Sequence, residues 1–203
     1  IHIHIAEQQK EVEDCLTHYG QRPVQWLLNN ADLDKNWCLI HATHIDEQER
    51  QGIIASKAIA GICPSTEANL GDGIFPTDEF LLENGTFAIG SDSHISVNPI
   101  EELRWLEYAQ RLSKQKRALL ANNEQTGALA INKQADLLVL DDSQLRLFAH
   151  DDKHLLDSII FASQRNPILD VMVNGRWVIR DTEHVFGQEC AERFAQVLAK
   201  LSA

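Results

Sequence analysis

Polar and apolar positions along this chain follow two periods in turn, and each switch marks an element. IHIHI (1–5) alternates strictly, which predicts a strand with Ile1, Ile3 and Ile5 on one face and His2 and His4 on the other. Glu7 falls where the alternation ends, at the C-terminal tip of that strand. EQQKEVEDCLTHYG then places Val12, Cys15 and Leu16 at helical spacing and stops at Gly20. RPVQWLLNN starts a second helix at Pro23. WCLIHAT (37–43) is a β-rich apolar run, and IDEQERQGIIAS follows as a helix with Asp46 and Glu49 as a capping pair. AIAGIC (58–63) is a third strand. PSTEANLGDGIFP reads as a Gly/Pro/Asn-rich loop, long for a connection in a compact unit and of the kind that carries function. TDEFLLENG predicts a short helix capped by Thr77 and stopped by Gly85. TFAIGSD (86–92) is a fourth strand, and EELRWLEYAQRLSKQKRALL a long amphipathic helix.

Strand and helix thus alternate four times, the rhythm of a parallel sheet with right-handed crossovers. A (β/α)₈ barrel takes eight such units and roughly 250 residues. The expected fold is therefore α/β, half of a TIM-type barrel over 1–123. Past residue 124 the pattern changes. QADLLVLDD reads as an exposed edge strand, VMVNGRWVIRD as a hairpin whose Asn174-Gly175 suits a type I′ turn, and 188–202 as a closing helix. These make 124–203 part of a smaller β-rich domain. The sequence opens inside a strand and holds a single methionine, Met172, so part of a longer chain is expected.

Composition narrows the partners. With 203 residues and 44% hydrophobic content the chain can bury a sizeable core. Its net charge of -12, from 30 acidic and 18 basic residues with no Lys/Arg stripe, argues against nucleic acid or an anionic membrane. Cys15, Cys38, Cys63 and Cys190 show no CxxC spacing, which fits reduced thiols in a cytoplasmic protein. No apolar run approaches the ~18 residues of a membrane span, and no signal peptide is recognisable. The expected partner is a small-molecule substrate, and a homodimer is compatible with the sequence.

Candidate chemistry lies at the strand ends. His4, with Glu7 beside it, His41 and Asp92 fall at the C-terminal ends of three parallel strands, the face on which barrels place catalytic groups. Converging imidazole and carboxylate groups suit zinc or another divalent metal. Each has a plainer reading as well: an aspartate after Gly-Ser is a common helix cap, and His41 in an apolar strand suits a core histidine. His44 and His94 lie near the same mouth, as surface or supporting groups.

The order HxHxxE, a strand-ending His, GSD and ADLLVLD resembles the amidohydrolase superfamily of metal-dependent deaminases and hydrolases. More narrowly, HIHIAEQQKEVEDCL, QRPVQWL, WCLIHATH, STEANLGDGIFP and GSDSHIS with EELRWLEYAQRL resemble the formimidoylglutamate deiminase family. The resemblance implies the C-terminal half of the barrel and one zinc per active site, held by His4, Asp92 and an HxH pair that this sequence lacks. It implies that Glu7 shuttles protons, with Asp92 sharing that work, that His41 orients or polarises the scissile group, and that His2 lines the substrate pocket. The implied reaction is hydrolysis of a formimino dicarboxylate, N-formimino-L-glutamate, to N-formyl-L-glutamate and ammonia, in histidine degradation. Another deaminase of the superfamily, acting on a purine, pterin or adenosylhomocysteine-like amidine, is the enzyme alternative; a metal-free binding relative is the non-enzymatic one. A cytidine-deaminase site needs a PCxxC absent here. The family pattern is broken near Asn123, where LLANN runs into EQTGALAINKQADL and a segment is expected to be missing.

Overall fold

The computed structural model describes residues 1–117, 119–120, 135–141, 155–163 and 165–201. The chain divides into two compact units, Ile1–Glu124 and Gln125–Ala203.

The first unit runs β1 (His2–Ile5), α1 (Gln9–Tyr19), α2 (Pro23–Asn30), β2 (Cys38–His41), α3 (Glu47–Ser56), β3 (Ile59–Ile62), α4 (Pro64–Leu70), α5 (Thr77–Leu82), β4 (Thr86–Ile89) and α6 (Pro99–Lys114). Its four strands form one sheet in the order β1-β2-β3-β4, every neighbouring pair parallel. His4 lies opposite Ile40, Ile40 opposite Gly61 and Gly61 opposite Ala88, so the C-terminal ends of all four strands reach one edge together. Sequential parallel strands with helical crossovers are the half-barrel that the periodicity predicts.

The core lies between the sheet and its helices. Ile5, Leu39, Ala60 and Ile62 of the strands meet Val12, Val24, Leu27, Ile53, Phe80 and Leu106 of the helices. The opposite face carries His2 and His4. On β3 it carries Gly61, where an added Cβ would come within 2.8 Å of the Ile40 Cδ1 atom, so the Ile40 side chain lies across the glycine.

Local signals place most helix ends. Gly20 takes the left-handed conformation (φ 67°) and closes α1. Asp46 and Glu49 form a reciprocal capping box at α3. Three expectations are corrected. PSTEANL is a helix, α4, and not loop: Pro64 opens it, Gly71 closes it at φ 75°, and its first-turn polar groups find buried partners. Thr77 is not a cap, because Pro76 occupies that position and the Thr77 hydroxyl bonds the Phe75 carbonyl. The long helix ends at Lys114, where Gln115 turns left-handed, short of the amphipathic pattern that runs to Leu120. The break near Asn123 lies outside the described residues.

In the second unit β5 (Leu137–Leu140), β6 (Ile168–Val173), β7 (Arg176–Arg180) and β8 (Glu183–His184) form an antiparallel sheet in that order. β5 is an edge strand, as its sequence predicts. Asn174 and Gly175 both have positive φ, 49° and 74°, the signature of the type I′ turn. A short helix α7 (Leu155–Asp157) continues as a π-helical turn over Ser158–Ala162, and α8 (Gly187–Leu201) follows.

Candidate active site

Three of the four strand ends in the first unit are built from backbone that side-chain-bearing residues rarely adopt. Ala6, His41, Ala42 and Asp92 all have positive φ, at 49°, 67°, 48° and 48°. Such conformations cost about 1–3 kcal/mol each and persist where surrounding contacts over-determine them. Those contacts are visible. The N–H groups of Ala6 and Glu7 donate to the two carboxylate oxygens of Glu11, at 2.8 and 2.9 Å, which fixes the turn that presents Glu7. The Ala42 N–H donates to the Ile5 carbonyl at 3.0 Å and that of His44 to Ala6, which ties the end of β2 to the end of β1. The left-handed turn at His41 carries its imidazole to the open end of the sheet.

There it meets the other predicted residues. His41 Nε2 is 3.5 Å from Glu7 Oε1 and 3.9 Å from Asp92 Oδ2. Its ring centroid lies 5.4 Å from that of His4. Glu7, His41, Asp92 and His4 therefore share one site, with side chains from three strand ends. His2 is not part of that gathering. It sits two residues down β1, opposite Cys38, and about 6.6 Å of strand separates it from His4. The competing reading of Asp92 as a helix cap does not hold: α6 is capped by Asn98, whose side chain accepts from the Ile100 N–H at 3.0 Å. The core reading of His41 is half right, since the side chain is 1% exposed and still faces two carboxylates.

Electrostatics set the two central groups apart. Burial pushes the His41 pKa down, but hydrogen bonds to Cys63 and Glu67 and the charges of Glu7 and Cys63 outweigh it and hold the value at about 10. The Glu7 carboxyl is raised, by burial first and by Asp72 and Asp92, against the opposing pull of His41 and His4. A carboxyl raised in this way holds a proton more readily than an exposed one.

Among the described residues one group of three donors lies as close together as metal ligands do. His41, Cys63 and Glu67 are all buried, with ligand atoms within 4.8 Å of one another. They are already engaged: His41 Nδ1 donates to Glu67 Oε1 at 3.2 Å, and the Cys63 N–H donates to the same oxygen at 2.8 Å. The strand-tip group of His4, His41, Glu7 and Asp92 is different. Its two separations from His41 Nε2, 3.5 Å to Glu7 and 3.9 Å to Asp92, are longer than good hydrogen bonds. The strand-tip residues supply the donor types that a divalent ion takes, imidazole nitrogen with carboxylate oxygen; the buried triad is occupied as a hydrogen-bonded support.

The neighbouring histidines are supports. His44 Nε2 donates to the Asp72 carbonyl at 2.6 Å, and the His94 N–H donates to the Thr66 hydroxyl at 3.1 Å. Sequence reasoning missed Ser65, Thr66 and Glu67, three consecutive polar residues at 2%, 0% and 3% exposure. The only available signal was a polar triplet directly after an apolar strand and Cys-Pro, and that pattern equally marks a loop.

The chain belongs to the amidohydrolase family, whose model matches residues 1–178. It is 47% identical, over 99% of its length, to formimidoylglutamate deiminase of Pseudomonas aeruginosa, and covers 49% of that protein. Among solved structures it resembles an amidohydrolase from Brucella melitensis, with TM-score 0.87, 40% identity, and 100% of this chain against 49% of that one. It also shares the fold of an adenosine deaminase from Xanthomonas campestris with bound zinc, at TM-score 0.79 and 23% identity, covering 94% of this chain and 47% of that one. The chain spans about half the length of the relatives it matches. Among the described residues no helix is long and apolar enough to cross a membrane.

Proposed function

We propose that the full-length protein hydrolyses N-formimino-L-glutamate to N-formyl-L-glutamate and ammonia with one zinc or similar divalent cation per active site. The observation that carries this reading is the 47% identity to formimidoylglutamate deiminase across 99% of the chain, with Glu7, His41 and Asp92 converging at the strand tips. The purine-nucleoside deaminase it resembles in fold is only 23% identical. His4 and Asp92 would hold the cation, with further donors completing its coordination. A bound divalent cation supplies Lewis acidity that brings the pKa of water toward neutrality.

The chain's own residues do the rest. Glu7 Oε1 takes the proton lost by water as it adds to the formimino carbon, and returns it to the departing nitrogen. Burial raises its pKa, which favours the protonated form through which it must pass. His41 Nε2, fixed opposite Glu7 and Asp92, orients the group being split and meets the negative charge that develops there. Asp92 Oδ2 takes the second proton, from the hydroxyl that becomes the formyl oxygen, and passes it to the same nitrogen, which leaves as ammonia. His2, two residues before His4 on the same face of β1, would line the substrate pocket away from the reacting groups. A cytoplasmic setting suits an enzyme whose four cysteines are all free thiols.

Ammonia release from N-formimino-L-glutamate, N-formimino-L-aspartate, adenosine and guanine by the metal-loaded full-length protein tests this reading. Formimino-glutamate is expected to be preferred, and removal of the metal by a chelator to abolish turnover until zinc is restored. Preference for a purine with formimino-glutamate inert would overturn the substrate and leave a purine deaminase.

A further inference from the structure

We propose that Thr66 and Glu67, in the first turn of α4, are positioning residues that together set the placement of His41 and Asp92 across the active site. The inference rests on the function proposed above for those two groups. It starts from the three buried polar side chains that follow Cys63-Pro64, where apolar residues would pack at lower cost.

Each of the three has a separate target. Ser65 anchors the turn, with its N–H and its hydroxyl both donating to the carboxylate of Glu102 on α6, itself 2% exposed. Thr66 brackets Asp92: its hydroxyl donates to the Ser91 carbonyl at 2.7 Å and accepts from the His94 N–H at 3.1 Å. Those bonds hold the backbone on either side of the left-handed residue at φ 48°. Glu67 holds His41. Its Oε1 accepts from His41 Nδ1 at 3.2 Å and from the Cys63 N–H at 2.8 Å, so one oxygen links the ring to the end of β3. With Nδ1–H committed to Glu67, the Nε2 atom is the one left to face Glu7 and Asp92.

The sheet order gives this turn its reach. β3 lies between β2 and β4, and α4 begins one residue after Cys63 at the end of β3. From that central place Glu67 reaches the end of β2 and Thr66 reaches the end of β4. His41 and Asp92 come from strands that do not pair with one another, so their spacing is fixed through the strand between them. Outer-shell partners of this kind typically matter 10–100-fold in activity.

The test compares Thr66→Val with Thr66→Ser and Glu67→Ala with Glu67→Gln in the metal-loaded full-length protein. Val keeps the shape of Thr without the hydroxyl, whereas Ser keeps the hydroxyl. Gln keeps an oxygen that accepts from both Cys63 N–H and His41 Nδ1–H. Thr66→Val and Glu67→Ala should lose about 10–100-fold in kcat with KM nearly unchanged, and the two conservative variants should stay within about threefold of the parent. Nitrogen NMR of histidine-labelled protein supplies a second readout, in which the hydrogen-bonded shift of His41 Nδ1 is kept in Glu67→Gln and lost in Glu67→Ala. Should either disruptive variant fail to fold, the other pair decides. Parental kcat in Thr66→Val and Glu67→Ala overturns the proposal, as do conservative variants as impaired as the disruptive ones. A parent protein that releases no ammonia from N-formimino-L-glutamate refutes the proposed function instead. In that case the NMR comparison decides, and an unchanged His41 pattern in Glu67→Ala overturns the positioning role.

Discussion

Replacing Glu7 by Gln tests the proton chemistry with little disturbance to the site. The side chain is 25% exposed, and the local turn is held by the Ala6 and Glu7 N–H groups on Glu11, bonds that a glutamine at position 7 leaves in place. What the substitution removes is the titrating group and its attraction for His41. At 3.5 Å and partly exposed, that attraction contributes about 1 kcal/mol or less to stability. The catalytic loss is larger. A positioned general acid–base group is worth about 10²–10⁴ in rate, or about 2.7–5.4 kcal/mol at 1.36 kcal/mol per decade. The Glu7→Gln protein should therefore keep its metal and its unfolding midpoint while kcat for ammonia release falls at least ~10²-fold. Metal analysis, a denaturant titration and steady-state turnover on one preparation check all three. Turnover near the parental value in a metal-loaded Glu7→Gln protein would refute the assignment of Glu7 as proton carrier.

Two further outcomes follow from the buried polar groups. His41 is raised from 6.5 to about 10 in the metal-free protein, among His4, Glu7, Glu67, Cys63 and Asp92, so its stabilising contribution is complete below pH 6.5 and is lost as pH climbs through 10. Unfolding free energy of metal-free protein, measured by denaturant titration, should fall as pH rises from 7 to 9, and a flat profile would contradict the charge state given to His41. Glu49, fully buried, accepts from Arg22 Nε, the Gln25 N–H and the Asp46 N–H, which joins α2 to α3. Glu49→Ala should lower stability by about 2–4 kcal/mol, since the Gln25 and Asp46 N–H groups lose their acceptor while Arg22 keeps Asp46 and the His44 carbonyl, and a loss below about 1 kcal/mol would show that water replaces it.

The sequence by itself determined what short-range physics controls. The strict alternation of IHIHI, the capping pair Asp46 and Glu49, the stop at Gly20 and the Asn174-Gly175 turn each depend on a few neighbouring residues, and each was legible. The chemical types at the strand tips were legible for the same reason: Glu7 follows the last alternating residue, and His41 and Asp92 end apolar runs. Which of these groups face one another was decided only in three dimensions. His41 follows a strand whose alternation would turn it toward the helices, and the left-handed φ of 67° redirects it. That turn exists because Ala42 and His44 bond to the end of β1, more than thirty residues earlier in the chain. Asp92 fits a helix cap by local rules, and it is free to face His41 because Asn98 caps α6 instead. The Ser65-Thr66-Glu67 triplet shows the limit most clearly. Polar residues beside Gly, Asn and Pro read as solvent-exposed loop, because local composition reports the cost of burying a polar group and not whether a partner is waiting. Glu102, Ser91, His94 and His41 are those partners, all at least 24 residues away in the sequence, and only the parallel sheet brings them within hydrogen-bonding distance.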